Sequence, residues 1–175
     1  MSHIIKHRDI INDDWIVVRA AEDGSLPAVD AIAAGRVLLP FSYWKQHSAA
    51  LRAARPASDL GVWLEPDAEP AELVDDFGAI SVIGVDFPVF RDGRGYSIAR
   101  LLRDRYHWTG ELRAIGDVLR DQLLYLSRCG FDAFAVRADK DIHDALKAFG
   151  EQSVLYQAAY DEPNPLFRRR AAVPV

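Results

Sequence analysis

The sequence predicts an α/β protein: about five successive strand–helix units laid on a parallel sheet, in a partial (β/α) barrel-like arrangement. Three observations carry this. Short apolar runs rich in Val, Ile, Leu and Phe recur roughly 20 to 30 residues apart, as buried parallel strands do. Segments with helical spacing lie between them, and Gly, Pro or Asp marks the junctions. Right-handed crossovers then build a parallel sheet. An open doubly wound three-layer sheet is the alternative, but consecutive units without a long crossover favour strands that neighbour one another in chain order.

Taken in order, residues 1–35 are the least regular part. Trp15 to Val18 is a short strand candidate that fits a hairpin arm, Glu22 to Ser25 carries turn chemistry, and Pro27 to Ala34 fits a short helix stopped by Gly35. Val37 to Leu39 is the first strand of the regular part, followed by an alanine-rich helix from Phe41 to Ala54 that ends before Pro56. Gly61 to Leu64 is the next strand, with a helix over Ala68 to Phe77 whose first turn tolerates Pro70. Ile80 to Phe87 leads into a helix over Tyr96 to Tyr106. Leu112 to Ile115 leads to Asp117, placed to cap a helix over Val118 to Cys129, which Gly130 terminates. Ala133 to Val136 is the fifth strand, and Asp139 or Asp141 caps a last helix ending before Gly150. Val154 to Tyr156 reads as a sixth strand. The chain thus divides into a single α/β domain over residues 1–157 and a C-terminal tail over 158–175, which holds three prolines and the run Arg168 to Arg170.

Composition narrows the function classes. A formal charge of −5 gives no basic face for phosphate backbones, so nucleic acid is not an expected partner. A single cysteine, Cys129, leaves no internal disulfide framework and no four-cysteine cage. At the end of a helix it is expected to be buried and inert. The five histidines show no metal-ligand spacing, so no metal is expected. No apolar run reaches bilayer length and the first residues lack a signal-peptide core, which points to a cytoplasmic protein without membrane contact.

Ligands of parallel α/β sheets bind beyond the carboxyl ends of the strands, where loops converge and helix N-termini offer free N–H groups. That rule selects Asp86 and Asp117 as candidate catalytic carboxylates, an enclosed Asp86 being suited to general acid or base work. It selects Arg94, Gly95, Ser97, Arg120 and Arg137 as candidate anion-binding residues. Arg94, Arg100, Arg113, Arg120 and Arg137 together could surround sulfite, sulfate or phosphate, because guanidinium binds oxyanions in bidentate fashion. Asp92-Gly-Arg-Gly-Tyr-Ser97 frees the backbone for close approach ahead of a helix, yet it matches neither the Walker pattern nor the full dinucleotide fingerprint, where Ile98 replaces the third glycine.

The segments Asp92 to Arg103, Gly110 to Gln122 and Arg128 to Asp132 closely resemble the domain-of-unknown-function 934 family. These are small bacterial proteins labelled as oxidoreductases of sulfite reduction, with genes that tend to lie beside those of assimilatory sulfite reductase. The resemblance implies an accessory role in sulfate and sulfite reduction, with sulfite reductase or its electron donor as partner. An enzyme activity is implied by the label alone, and no cofactor is assigned by it. The residues bring no complete dinucleotide fingerprint, no cysteine pair and no cluster-binding set, so the accessory role is preferred. A small-molecule enzyme with an anion site at the strand ends, or a redox protein without a standard fingerprint, are the alternatives.

Overall fold

The structure, a computed structural model, describes residues 2–171. Its strands are β1 (Ser2–Lys6), β2 (Asp9–Asp13), β3 (Trp15–Val17), β4 (Arg36–Pro40), β5 (Leu60–Leu64), β6 (Val82–Phe87), β7 (Glu111–Gly116) and β8 (Ala133–Phe134). They form one sheet in the order β2-β1-β8-β7-β6-β5-β4-β3. Strands β3 to β8 are parallel and adjacent in chain order, and β1 pairs antiparallel with both β8 and β2. The order has no reversal point of the kind an open doubly wound sheet shows.

The sheet's two edges, β2 and β3, are separated in sequence only by Asp14. Laid flat, eight strands would hold their outer members roughly 34 Å apart, whereas three consecutive residues span at most ~7 Å. The sheet therefore curls until its edges come together, giving a nearly barrel-shaped α/β fold. Polar contacts cross the interior accordingly: Arg113 of β7 donates to Asp13 at the end of β2, and its guanidinium lies 5.9 Å from the Trp15 ring of β3.

Alternation along the strands gives the curled sheet two apolar faces. Outward residues such as Val37, Leu39, Val62, Ile83, Val85 and Leu112 join the main core, under the helices α1 (Phe41–Ala54), α2 (Arg94–Arg100), α3 (Arg120–Arg128) and α4 (Ile142–Leu146). Inward residues Trp15, Leu38, Trp63, Val82 and Ile115 form a separate cluster inside the curl. Two indoles fit there because β5 and β6 place Gly61 and Gly84 opposite them; a Cβ on Gly84 would lie 2.8 Å from Trp63 Cβ. The amino-terminal end of the interior is closed by charge. Arg113, 1% exposed, donates to Glu111 at 2.7 Å and to Asp13 at 2.9 Å, while Lys6 pairs with Glu111 at 2.7 Å.

Several expected elements take another form. Five regular strand–helix repeats are not present: β5 is followed by 3₁₀ turns over Pro70–Ala79, capped by Glu69, instead of an α-helix. Pro70 fixes the entry while Gly78 and the Asp75–Asp76 pair weaken an α-helical ladder. β8 stops after two residues. The helix after β6 continues as a π turn over Leu101–Arg105. The true hairpin is β1–β2, and Trp15–Val17 is a parallel edge strand rather than a hairpin arm. Pro27 to Ala34 yields one 3₁₀ turn, Val29–Ala31, and Val154 to Tyr156 forms no strand. Asp117 is not the N-cap of α3; Leu119 is, and its N–H is taken by the Gln122 side chain. Asp141, in contrast, does cap α4, accepting from the His143 N–H.

Part of the predicted tail is ordered into α5 (Leu166–Ala171), which holds Arg168 to Arg170, and Tyr160 N–H donates to the Arg128 carbonyl of α3. Residues 172–175 of that tail lie outside the described residues. No helix among the described residues is long and apolar enough to cross a membrane.

Candidate site at the carboxyl rim

The inward alternation of β6, Val82, Gly84, Asp86, delivers a carboxylate to the carboxyl-terminal mouth of the curled sheet. Asp86 is 7% exposed, and its Oδ1 accepts from Arg19 Nη2 at 2.6 Å. Arg19 comes from the segment just after β3 on the far side of the mouth. Two interactions hold it: Trp63 Nε1 donates to the Val18 carbonyl at 3.0 Å, and the Arg19 guanidinium stacks 5.1 Å from the Trp63 ring.

Strand β7 ends in Gly116 with φ +93, a left-handed conformation that costs glycine least. A Cβ there would also run into the Phe87 carbonyl and the Asp86 carboxylate. The turn lets Asp117 N–H donate to Phe87 O at 2.7 Å, which directs the Asp117 side chain back over the mouth. Its Oδ2 accepts from Phe90 N–H at 2.9 Å and its Oδ1 from Arg137 Nη1 at 2.7 Å. Arg137, just beyond β8, also grips Asp139 through Nε at 2.6 Å and Nη2 at 3.1 Å. That fork holds the Asp139 carboxyl down at about 2, and the two carboxylates push the Arg137 guanidinium well above its ordinary value.

Arg19, Asp86, Asp117 and Arg137 thus line one open hollow of about 520 Å³, floored by Phe87, Pro88 and Gly116. Arg19 uses only Nη2 on a carboxylate among the described residues, which leaves its other N–H groups free to donate. The hollow offers one nearly buried carboxylate, two half-exposed guanidiniums and an open face to solvent. Arg19 is the guanidinium of this set with N–H groups left over for an acceptor in the hollow.

The other sequence-selected residues lie elsewhere. Arg94 is paired to Asp92 at 2.7 Å, and Gly95 packs against the Phe87 ring and Val85 on the outer face of β6. Ser97 is exposed on α2. Arg120 pairs with Asp144 at 2.7 Å and with Glu151 on the outside of α3. Arg100 pairs with Asp104 at 2.5 Å, and Arg113 sits at the opposite end of the interior. Of the five arginines considered as a cluster, only Arg137 reaches the hollow. Arg19 was missed because Trp15 to Val18 read as a peripheral arm; treating it as a strand of the parallel sheet would have selected Arg19 by the same strand-end rule. Cys129 is buried, and burial pushes its thiol up. No cluster of His, Cys, Asp and Glu able to hold a metal occurs among the described residues.

No curated protein and no solved structure matches the chain. A family model does, over residues 61–167, which takes in β5 from its second residue, β6 to β8, the Asp86–Asp117–Arg137 part of the rim and the tail as far as Phe167. By that match the chain belongs to the DUF934 family, described as bacterial protein of unknown function.

Proposed function

We propose that the protein is an accessory component of assimilatory sulfite reduction, acting beside sulfite reductase or its electron donor, with the carboxyl rim as its working surface. The observation that carries this reading is the meeting of Arg19 and Arg137, from opposite sides of the curled sheet, with Asp86 and Asp117 over one hollow. Half-exposed guanidiniums suit an oxyanion such as sulfite, sulfate or phosphate. The link to sulfur comes from the family resemblance. Asp117 acts as a positioning residue, since both of its oxygens are engaged in fixing the loop at Phe90 and the guanidinium of Arg137.

The test is genetic and biochemical. A deletion strain is expected to grow poorly with sulfate as sulfur source and to recover with cysteine, and tagged protein from sulfate-grown cells is expected to co-purify with sulfite reductase. Normal growth of the deletion strain on sulfate would sink the proposal.

A second reading is a small-molecule enzyme in which Asp86 is the acid or base. It is favoured by Asp86 Oδ2, which makes no hydrogen bond among the described residues and lies at the mouth. Asp86→Asn keeps the shape and removes the carboxylate. Loss of growth on sulfate with this folded variant supports proton transfer, and full growth refutes it.

A further inference from the structure

The motif Arg128 to Asp132 plays no part in the rim, and it lies at the opposite end of the sheet beside a cleft of about 430 Å³. Its Asp132 is locked in place: Oδ1 accepts from Leu112 N–H at 2.9 Å and Oδ2 from Arg103 Nη2 at 3.0 Å. The buried Arg103 guanidinium also donates to the carbonyls of Gly130, Trp108 and Gly110, at 2.9, 2.7 and 2.9 Å. Arg103 reaches those partners from the π turn of residues 101–105, an irregularity that is frequent at functional sites. The result is a floor in which four of the five guanidinium N–H groups of Arg103 are spent on protein acceptors.

Around that floor the walls are aromatic. Phe131, Phe134 and Phe149 line the cleft, and the Tyr160 ring lies 5.6 Å from the Arg103 guanidinium. The mouth carries the hairpin tip His7–Arg8, a two-residue loop between β1 and β2 with φ of 50 and 69. Left-handed φ at both positions is the geometry that Asn-Gly adopts at least cost, and two large side chains are strained in it. The Arg8 guanidinium rests 5.7 Å from the Phe149 ring and has no carboxylate partner among the described residues. The chain therefore holds a cation at the cleft mouth in a backbone conformation that works against it.

We infer that this cleft is a second binding site, for a planar aromatic ligand bearing an anionic group, of mononucleotide type. The ring would lie on Tyr160, the exposed aromatic of the cleft, above the buried edges of the phenylalanines, and the anion would meet Arg8 and His7. A bare oxyanion is too small: the cleft would hold more than ten waters at ~30 Å³ each, and it falls in the ~300–1,000 Å³ range of ligand pockets.

The test uses the full chain with flavin mononucleotide, adenosine 5′-monophosphate and inorganic phosphate as probes, read by flavin fluorescence and calorimetry. At least one mononucleotide is expected to bind with a Kd below about 1 mM, and phosphate at least about tenfold more weakly. Arg8→Ala is expected to weaken mononucleotide binding at least about tenfold. The double variant His7→Asn/Arg8→Gly, which restores the turn's preferred residues, should lose binding equally while its Tm rises by about 4 °C. That rise separates a lost contact from a damaged fold. Absence of binding by both mononucleotides at ~1 mM overturns the inference. So does equal affinity for phosphate, or unchanged binding by Arg8→Ala.

Discussion

Replacing Gly84 by Ala distinguishes a curled, filled sheet from an open one by the sign of the stability change. In an open sheet with a free inner face, alanine on a strand is better than glycine by ~0.5–1 kcal/mol, because it loses less backbone freedom. In the curled sheet the new methyl would sit 2.8 Å from Trp63 Cβ and 3.0 Å from Leu38 Cδ2. Trp63 Cβ is fixed to the neighbouring strand and cannot rotate away, so the strands themselves must shift. Overpacking of this kind costs ~1–3 kcal/mol, and the middle of that range less the propensity gain leaves a net loss of roughly 1–2 kcal/mol, because the clash is with a Cβ that cannot rotate away. For a chain of this length that corresponds to a fall in Tm of about 2–8 °C. Urea unfolding followed by tryptophan fluorescence reads it as a lower midpoint at unchanged slope. Gly78→Ala is the internal control, since a Cβ there meets nothing within 4 Å and its φ is not left-handed. A Gly84→Ala protein as stable as the wild type, or more stable, would refute the packing described for the interior.

Two further outcomes follow from the charges. Arg113→Met leaves Asp13 and Glu111 enclosed without their shared cation and should cost about 3–5 kcal/mol by urea unfolding, whereas Lys6→Ala, from a more exposed pair, should cost under about 1 kcal/mol. Equal losses would contradict the closed amino-terminal end. Carboxyl-detected NMR titration should place Asp139 at about 2, below its ordinary 3.8. Because the folded value is the lower one, the pairing with Arg137 favours the fold above pH ~4 and fades as pH falls toward 2. In Arg137→Ala the Asp139 carboxyl should return to the ordinary range; an unchanged value would mean that the fork to Arg137 is absent.

The parallel part of the fold is legible in the sequence because buried parallel strands are continuous apolar runs, and β4 to β7 stand where those runs are. The curl is not legible, since it depends on β2 and β3 meeting at Asp14, and residues 9–13, Asp-Ile-Ile-Asn-Asp, lack the apolar run or alternation that marks a strand. Glycine inside β5 and β6 was a signal for close packing, but its meaning depends on Trp15 and Trp63, which only the curl brings opposite. The rim is partly legible for the same reason. Asp86, Asp117 and Arg137 follow apolar runs and can be selected one strand at a time. Arg19 follows a short strand that reads as a peripheral hairpin arm and so falls outside the strand-end rule, and Arg94 and Arg120 follow that rule while their side chains turn outward to Asp92, Asp144 and Glu151.

The claim on which the functional account rests is that the rim hollow is the working site. Its most direct measurement is growth of a deletion strain on sulfate, complemented by Arg19→Ala/Arg137→Ala or by Arg94→Ala/Arg120→Ala, with each protein's abundance and far-ultraviolet circular dichroism checked alongside. The account predicts that the first pair, which lines the hollow, fails to restore growth although folded, and that the second pair, which lies off it, restores growth fully. Full growth with the first pair would contradict the account.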